Sequence, residues 1–345
     1  MSFTRTPGMR LAGVSTCVPA HVVDNNSCAA VYGETEVRKV VSMAGVQYRP
    51  VADPGVTATD LCFEAAEALL RELDWAPDTL DAVVLVTQSP DYFLPSSSCL
   101  IHKWLGLSEH CAAFDVGLGC SGYPYGLSLA GSMLLTGCRR ILLLQGDTPT
   151  QFVNAEDHAT TLLFSDAGSA TALERQADAP DSFHALCTDG SGYRGLIVPG
   201  GGFRDRNPAN PRDRELYMDG GAIFNFTVKR VPEIILSSLQ FAGLDQNAID
   251  YFIFHQSNRF IMKHIAKKCG LAAERVPLIL DRFGNCGGTS VPLTLTQSVP
   301  AQRQNDLRLL CVGYGVGLSW GASVLGLDPK AALLHKTYSG EVTRQ

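Results

Sequence analysis

A cysteine in a glycine-rich segment is the first residue that suggests chemistry. Cys120 lies within Asp115–Tyr125, which reads DVGLGCSGYPY, between an apolar run that ends near Val116 and a helical pattern that begins near Gly122. Pro124 then falls in the first turn of that helix, where a missing N–H costs no hydrogen bond. The unpaired N–H groups and the dipole at a helix amino terminus stabilise a thiolate and lower its pKa from about 8.5. The sequence therefore predicts that Cys120 is a nucleophile near neutral pH.

The same segment offers an alternative, because Gly117, Gly119 and Gly122 spell the G-x-G-x-x-G pattern of dinucleotide-binding loops. The pattern lies about a third of the way into the chain, and the next acid at a strand end is Asp147 rather than one about 20 residues further on. A cysteine inside the loop also has no role in binding pyrophosphate. These features favour nucleophilic chemistry over dinucleotide binding.

Two more polar residues and a second glycine run are candidates for the same chemistry. His255 directly follows the apolar run Tyr251–Phe254, and the carboxyl ends of strands are where α/β sheets place catalytic groups. Taken alone, a histidine in this position is more often a packed core residue than a catalyst. Asn285 lies in a glycine-rich segment, Asp281–Pro292, where a single Asn is typical of a turn. The small residues of Gly313–Gly321 allow backbone N–H groups to approach a ligand closely.

The elements that must position these residues alternate along the chain. Short apolar runs flanked by Gly, Pro, Asp or Asn predict buried strands at Ala82–Thr87, Ala112–Val116, Ile141–Leu144, Tyr251–Phe254 and Leu309–Val312. Longer segments with apolar periodicity predict helices at Ala58–Leu73, Gly122–Thr136, Phe226–Ala242 and Ser257–Cys269. This alternation predicts a layered α/β architecture with strands buried on both faces. The helix after Cys120 is apolar nearly all round, so we expect it deep between the layers.

An internal repeat indicates that the architecture is duplicated. The stretch DAVVLVTQS at 81–89 resembles DYFIFHQS at 250–257, and FSDAGSATAL at 164–173 resembles GLSWGASVL at 317–325, in the same order. Similarity in the same order and at a comparable offset predicts two related halves. Chance similarity among Gly- and Ala-rich strands is the alternative.

The repeat divides the chain into three parts. We expect an N-terminal half at 1–175, which carries Cys120, and a C-terminal half at 215–345, which carries His255 and Asn285. Residues 176–214 are rich in Gly, Pro, Asp and Arg, and we expect them to form a surface excursion between the halves.

Composition bounds the class of protein. The chain has 345 residues, of which 46% are hydrophobic and 18% charged, and this balance is typical of a globular enzyme. No stretch approaches the roughly 20 consecutive apolar residues that span a bilayer, and the first residues lack the apolar region of a signal peptide, so we expect a cytoplasmic protein without a membrane partner. The eleven cysteines include no C-x-x-C pair, which argues against a metal site and a disulfide framework. The net charge of −6 disfavours nucleic acid as a partner.

Seven motifs, in one order, carry a resemblance to a known family. They are D-V-x-x-x-C-[SA]-G at Asp115–Gly122, F-x-D-[AG] at Phe164–Ala167, M-x-G-x-x-[IV]-F at Met218–Phe224, H-Q-x-N at His255–Asn258, A-K-K-x-G at Ala266–Gly270, G-N-x-x-x-x-S-x-P at Gly284–Pro292 and G-x-G-x-[ST]-W-G at Gly315–Gly321. From about Leu11 to Leu327 the chain resembles the thiolase-fold condensing enzymes, and most closely the β-ketoacyl-acyl-carrier-protein synthases III. The resemblance implies a thiolase-like five-layer αβαβα fold made of two pseudo-duplicated halves.

The resemblance also implies roles for the candidate residues. Cys120 is the nucleophile that takes an acyl group from a thioester, with His255 and Asn285 as its partners. The acyl-enzyme then condenses with a malonyl thioester as carbon dioxide is lost, while N–H groups of neutral His255 and of Asn285 hold the enolate oxygen. The backbone N–H groups of Cys120 and Val316 form a second oxyanion hole. A Cys–His–Asn set favours this reaction over relatives that use a second cysteine or two histidines.

Three residues in the motifs are expected to be structural. Cys286 adjoins Asn285, and we expect it to be packed rather than reactive. Asp115 and Asp166 are expected to bond backbone groups rather than to transfer protons.

The resemblance implies an acyl pocket lined by Phe93, Leu94, Phe164 and Phe224. Phe93 or Leu94 aligns with the residue that a partner chain contributes as a cap, so a homodimer is expected. No cofactor is implied, because acyl-CoA or acyl carrier protein serves as substrate. Family members that bind coenzyme A commonly stack its adenine between a Trp and an Arg. Here Tyr32–Ser42 has no Trp, and His158 stands in place of the Arg, which leaves the carrier of the primer and its chain length open.

A row of basic residues follows His255. Arg259, Lys263 and Lys267 recur every four residues on one face of a predicted helix, with Lys268 alongside. We expect this row to dock acyl carrier protein, an acidic partner; an ordinary solvated helix face is the alternative. For the reaction itself, the alternative is an acyltransferase that moves the acyl group from Cys120 to a hydroxyl or amine of a small molecule.

Overall fold

The computed structural model describes residues 1–340 of the chain. Its strands are β1 (Ser2–Thr6), β2 (Met9–Val18), β3 (Val22–Asp24), β4 (Tyr48–Pro50), β5 (Ala82–Val86), β6 (Ala112–Val116), β7 (Arg140–Asp147), β8 (Ala167–Arg175), β9 (Ser182–Thr188), β10 (Leu196–Ile197), β11 (Tyr217–Met218), β12 (Tyr251–Phe254), β13 (Leu307–Gly315), β14 (Ser319–Leu327) and β15 (Ala332–Thr337). Its helices are α1 (Ala29–Tyr32), α2 (Glu34–Ala44), α3 (Ala58–Glu72), α4 (Ser97–Trp104), α5 (Gly122–Leu135), α6 (His158–Thr161), α7 (Gly220–Ala242), α8 (Arg259–Lys268), α9 (Leu280–Phe283) and α10 (Ser290–Ser298).

Two large sheets and three helical layers build the molecule. The first sheet has the order β15-β2-β8-β7-β5-β6, and the second has the order β1-β9-β14-β13-β12. Helices α5 and α10 contact both sheets and form the central layer, while α3 covers the outer face of the first sheet and α7 covers that of the second. The predicted five-layer αβαβα arrangement is therefore confirmed.

Local sequence explains why these elements form. β5 reads AVVLV and is buried on both faces, as expected for a strand between helical layers. α3 begins with a capping box, in which Thr57 and Asp60 each accept a backbone N–H of the other. α5 carries apolar or small residues on nearly every face, because it packs between two sheets rather than against one.

Strand register brings the candidate residues to one edge of each sheet. Val86 of β5 pairs with Val116 of β6 on one side and with Gln145 of β7 on the other. The carboxyl ends of these three parallel strands therefore lie at the same edge of the sheet. In the second sheet Phe254 pairs with Val312, and the backbone N–H of His255 continues this ladder to the Val312 carbonyl at 2.8 Å. Residues that follow β6, β7 and β12 therefore leave the sheets at their carboxyl ends.

The duplication extends to the topology of the two sheets. β2, β8, β7 and β5 of the first sheet have the same order and relative directions as β9, β14, β13 and β12 of the second. The sequence repeat matches β5 with β12 and β8 with β14, so both repeated segments occupy equivalent places. β6 extends only the first sheet.

The structure differs from the predicted boundaries of the halves. β9 lies within 176–214, yet it pairs with both β1 and β14 inside the second sheet, so this part of the segment is not a surface excursion. The chain ends also cross over, because β1 belongs to the second sheet and β15 to the first. Hydrophobic alternation in SFHALCT was masked by its Gly- and Pro-rich flanks, which is why this strand was missed.

Among residues 1–340, no helix combines the length and apolar character that a membrane span requires.

Candidate active site

Close packing explains the glycines around Cys120. The residue lies between the end of β6 and the start of α5. A Cβ on Gly119 would overlap the side-chain oxygen of Gln88, and one on Gly122 would lie 2.5 Å from Val86. Both glycines allow the loop between β6 and α5 to pack closely against β5 and the residues that follow it. The G-x-G-x-x-G spacing is therefore accounted for by packing around the cysteine rather than by a pyrophosphate.

The sulfur of Cys120 lies against the last residue of β13, within the glycine run 313–321. A Cβ on Gly315 would lie 2.7 Å from the Cβ of Cys120 and 3.1 Å from its Sγ, so only glycine fits there. The backbone N–H groups of Val316 and of Cys120 itself interact with the sulfur and favour its charged form. These are the two N–H groups that the family resemblance implies for an oxyanion hole. Their role in a reaction stays a prediction.

Burial dominates the ionisation of the Cys120 thiol. Desolvation and the nearby Asp147 carboxylate raise the pKa of Cys120 to about 12, and the N–H groups of Val316 and Cys120 offset only part of this rise. The prediction that a helix amino terminus gives a lowered pKa is therefore wrong for the unliganded chain. The reason is that Cys120 lies below the surface, where the loss of hydration destabilises the thiolate more than the N–H groups at the helix amino terminus stabilise it.

His255 is buried, and one of its ring nitrogens is held by protein. Nδ1 lies 3.0 Å from the Gly287 carbonyl and 2.8 Å from the Ser290 hydroxyl. Burial lowers the pKa of His255 to about 4, so the ring is neutral at pH 7. Within residues 1–340, Nε2 has no hydrogen-bond partner and is the nitrogen left for a substrate.

Asn285 is oriented by its own loop. Its backbone bonds both sides of Phe164, accepting from Ser165 N and donating to Leu163 O. The side-chain Oδ1 accepts the Gly287 N–H at 3.1 Å, whereas Nδ2 makes only a long contact of 3.4 Å to the Ser257 carbonyl. The amide N–H groups are therefore the less engaged end of this side chain.

Gly287 and the end of β13 connect the three residues. Gly287 lines the same cavity as Cys120, its carbonyl oxygen lies 3.0 Å from Nδ1 of His255, and its N–H donates to Oδ1 of Asn285. Strand β13 carries Gly315 against Cys120 and pairs its Val312 with the backbone of His255. Residues 165 positions apart in sequence, Cys120 and Asn285, thus meet where the two halves join.

A cavity of about 460 Å³ opens above Cys120. Its lining is mostly apolar, with two polar groups near the sulfur, and consists of Gln88, Phe93, Gly119, Cys120, Asp147, Pro149, Phe152, Phe164, Leu196, Ile197, Val198, Gly200, Gly201, Gly202, Leu216, Gly287 and Val316. The volume and apolar character suit an acyl chain or another small apolar group.

The predicted acyl-pocket residues divide into two groups. Phe93 and Phe164 line the cavity, but Leu94 and Phe224 do not. Phe224 instead stacks on Phe260 and contacts His264, because the first turns of α7 pack against α8. Leu94 is 80% exposed, so its expected place against a partner chain stays a prediction.

Sequence reasoning missed Asp147 as a site residue. Its Oδ1 accepts the Gln88 N–H at 2.7 Å and lies 3.2 Å from the Thr87 hydroxyl, while within residues 1–340 no hydrogen bond reaches Oδ2. Burial raises the pKa of Asp147 to about 7. Its position at the carboxyl end of the apolar strand β7 was a signal that could have found it, because α/β sheets place catalytic groups at such ends.

Three motif residues are structural, as predicted. Asp115 accepts the backbone N–H groups of Ser97 and Ser98 at 2.7 and 2.9 Å, at the start of α4. Asp166 accepts from the backbone of Ala52 at 2.7 Å and of Thr150 at 3.1 Å. Cys286 is buried in an apolar cluster, and burial raises the pKa of its thiol.

The basic row on α8 is partly tied down. The Arg259 guanidinium donates to the Ser42 carbonyl at 2.6 Å, and the Lys268 ammonium donates to the Val228 carbonyl at 2.8 Å. Lys263 and Lys267 are exposed, and within residues 1–340 neither has an ion-pair partner.

A partly buried cysteine between two duplicated α/β halves shares a cavity with a glycine that contacts a neutral histidine and an asparagine, and this arrangement defines a thiolase-fold condensing enzyme. Models of the families described as 3-oxoacyl-[acyl-carrier-protein] synthase III and its C-terminal region match residues 114–190 and 239–327. A β-ketoacyl-[acyl-carrier-protein] synthase III from Desulfitobacterium hafniense is 32% identical over 91% of this chain and 96% of its own. One from Xylella fastidiosa is 32% identical over 92% of this chain and 97% of its own.

A solved structure extends the similarity to the whole fold. The crystal structure of a 3-oxoacyl-(acyl-carrier-protein) synthase from Burkholderia xenovorans has 41% identity and a TM-score of 0.93, covering 97% of this chain and 99% of that one. The chain therefore belongs to the β-ketoacyl-acyl-carrier-protein synthase III family. It is a condensing enzyme of that type, a transferase, as the sequence resemblance implied.

Proposed function

We propose that the enzyme loads an acyl group from a thioester onto Cys120 and condenses it with a malonyl thioester as carbon dioxide is lost. The observation that carries the proposal is the position of the Cys120 sulfur. The sulfur borders an apolar cavity and interacts with the backbone N–H groups of Val316 and Cys120. The names of the relatives add acyl carrier protein as the carrier of the malonyl group.

In the first half-reaction the Cys120 sulfur attacks the thioester carbonyl. The carbonyl oxygen gains negative charge as the tetrahedral intermediate forms, and the two backbone N–H groups stabilise it. When the intermediate collapses, the carbon–sulfur bond of the substrate breaks and the departing thiol leaves with the proton that Cys120 loses. The neutral resting thiol protects the site from side reactions until substrate arrives.

In the second half-reaction the malonyl thioester loses carbon dioxide and becomes an enolate. His255 and Asn285 are suited to hold the enolate oxygen. Within residues 1–340, Nε2 of His255 has no hydrogen-bond partner, and Nδ2 of Asn285 makes only a long contact of 3.4 Å. One such donor in a dry site typically contributes 10²–10³-fold to the rate. The enolate carbon then attacks the acyl-cysteine, and Cys120 is released as a thiol.

The proposal includes the surroundings of the site. Phe93 and Phe164 would contact the acyl chain, and Leu94 would cap the cavity of a second copy in a homodimer. Lys263 and Lys267 would meet an acidic carrier protein. No resident cofactor is proposed, since thioester chemistry supplies both leaving groups. Cytoplasmic location stays a prediction.

Intact-protein mass after incubation with a panel of acyl thioesters tests the first half-reaction. The wild-type chain should gain one acyl mass, which a malonyl thioester then removes. Cys120→Ser should fold and gain none, and an acyl group found on another of the eleven cysteines would overturn the assignment.

Release of carbon dioxide tests the second half-reaction. His255→Ala and Asn285→Ala should still acylate Cys120 but lose at least about 100-fold in malonyl decarboxylation. Undiminished decarboxylation would contradict the proposed donors.

A further inference from the structure

Ser290 is a motif residue to which the proposed reaction gives no role, yet it touches the catalytic ring. It begins α10, is fully buried, and places its hydroxyl 2.8 Å from Nδ1 of His255. The only other group at Nδ1 within residues 1–340 is the Gly287 carbonyl, at 3.0 Å. The two neighbours differ chemically, because a carbonyl only accepts a hydrogen bond whereas a hydroxyl also donates one.

The hydrogen bonds around Ser290 leave its hydroxyl proton available for the imidazole ring of His255. The Gly287 carbonyl already accepts the backbone N–H of Ser290. The Ser290 oxygen accepts the Gln256 N–H at 3.1 Å. The hydroxyl proton can therefore point to Nδ1, or to the Gly287 carbonyl at 2.7 Å. In either case Nδ1, the Gly287 carbonyl and the Ser290 hydroxyl each keep a hydrogen-bond partner, and Nε2 is the ring nitrogen left for a substrate.

The direction of that proton decides what His255 can do. A neutral imidazole carries one proton, and the nitrogen that bears it is set by the partner of the other nitrogen. If Gly287 were the sole partner, Nδ1 would have to carry the proton and Nε2 would be an acceptor. An Nε2–H donor, which the enolate requires, needs a group that donates to Nδ1, and Ser290 is that group.

We propose that Ser290 is a positioning residue that donates to Nδ1 of His255 and so holds the ring in the tautomer with Nε2–H facing the malonyl thioester oxygen. The inference rests on the proposed function, in which His255 stabilises the enolate. It concerns the decarboxylative half-reaction, and it leaves the acylation of Cys120 independent of Ser290.

Nitrogen NMR of protein labelled with ¹⁵N-histidine tests the tautomer directly in the wild-type chain. The His255 signals, assigned by their loss in His255→Ala, should show a protonated Nε2 and an unprotonated Nδ1. The opposite pattern in the wild-type chain overturns the proposal whether or not any Ser290 variant folds.

The half-reactions of Ser290→Ala provide the second test. The variant leaves Gly287 as the only partner of Nδ1, so its spectrum should change to protonated Nδ1. Malonyl decarboxylation should fall by about 100-fold or more, while acylation of Cys120 stays within about 3-fold of wild type. Decarboxylation that stays intact, or that falls while the tautomer is unchanged, overturns the proposal, as does equal loss of both half-reactions.

Two matched variants separate tautomer control from a structural effect on α10. Thr294→Val removes another buried hydroxyl of the same helix, which donates at 2.7 Å to the Ser290 carbonyl, and it should leave the tautomer and both half-reactions unchanged. Ser290→Thr keeps the hydroxyl and should restore decarboxylation towards wild type. If His255→Ala itself decarboxylates normally, the proposed function fails; if it does not and Ser290→Ala does, only the role of Ser290 fails.

Discussion

Two acids buried near the active site serve different ends. Both carboxylate oxygens of Asp166 accept hydrogen bonds from Ala52 and Thr150, so Asp166 holds the segments that contain these two residues in place. Asp147 binds Gln88 through one oxygen and contributes its charge to the environment of Cys120. A carboxylate near a nucleophilic thiol opposes the thiolate, so Asp147 adds to the rise in the pKa of Cys120 that burial causes.

The effect of Asp147 on Cys120 can be measured by alkylation. Burial raises the pKa of Asp147 to about 7, so the carboxyl is neutral below that pH and charged above it. Asp147→Asn keeps the accepting oxygen but removes the charge, which should lower the pKa of Cys120. Iodoacetamide should therefore modify Cys120 about 3- to 10-fold faster in the variant at pH 8–9, corresponding to a pKa difference of about 0.5–1.

The sign of the pH dependence distinguishes charge from packing. The difference between Asp147→Asn and wild type should vanish as pH falls below about 7, because the wild-type carboxyl is then neutral too. Asp166→Asn is the matched control, since that buried acid makes no contribution to the pKa of Cys120, and its alkylation rate should follow wild type. A constant ratio at every pH would show that Asp147 acts by packing.

At the scale of single elements, α8 presents a reduced basic surface. Two of its four basic residues are held by carbonyls of α2 and α7, which leaves Lys263 and Lys267 on the exposed face. Lys263→Glu with Lys267→Glu should raise the apparent KM for a carrier-bound malonyl donor several-fold, more at low salt, because exposed charges act on association and are screened. Steady-state rates with a small malonyl thioester should change little.

A charge control keeps the α8 test specific. Lys330 is exposed on the turn between β14 and β15, away from α8, so Lys330→Glu should leave the KM for the carrier-bound donor unchanged. Equal loss with both donors in the α8 variant would mean that the helix supports the active site. An unchanged KM would mean that Lys263 and Lys267 are ordinary solvated residues.

The limits of sequence reasoning are clearest at the level of elements. Strand β12 was predicted with its observed bounds and α5 to within one residue, because apolar period and flanking Gly or Asn are local signals. Phe224 was misplaced, because which face of α7 meets α8 depends on helix packing that no local pattern encodes. Most of the cavity lining was missed for the same reason: it comes from segments that only strand register brings together.

At the scale of the whole molecule, a cluster of apolar side chains protrudes from the surface of the part that the structure describes. Tyr92, Phe93 and Leu94 are 58%, 68% and 80% exposed, and the ring of Phe93 lies 5.3 Å from that of the exposed Phe203. An apolar group of this size on a surface is typical of an interface. Light scattering should give twice the chain mass for wild type, and Leu94→Glu should shift the protein towards single chains.

A surface variant with the same charge change controls for that shift. Val31→Glu also places a carboxylate on an exposed apolar residue, here in α1, and should leave the mass at twice that of the chain. A wild-type mass equal to one chain at micromolar concentration would contradict the homodimer.

The crossing of the chain ends has a consequence for biosynthesis. β2 has β15 as its parallel neighbour, with Gly13 opposite Ala332, so the first sheet acquires this edge strand only after residues 332–337 have left the ribosome. β1 waits in the same way for β9, with Ser2 opposite Leu186. Each sheet therefore takes a strand from the other half of the chain, and until β15 has been made β2 offers an open edge to other nascent chains. Synthesis of β15 therefore closes this edge, and we expect a chain truncated before Ala332 to aggregate rather than to form a working half.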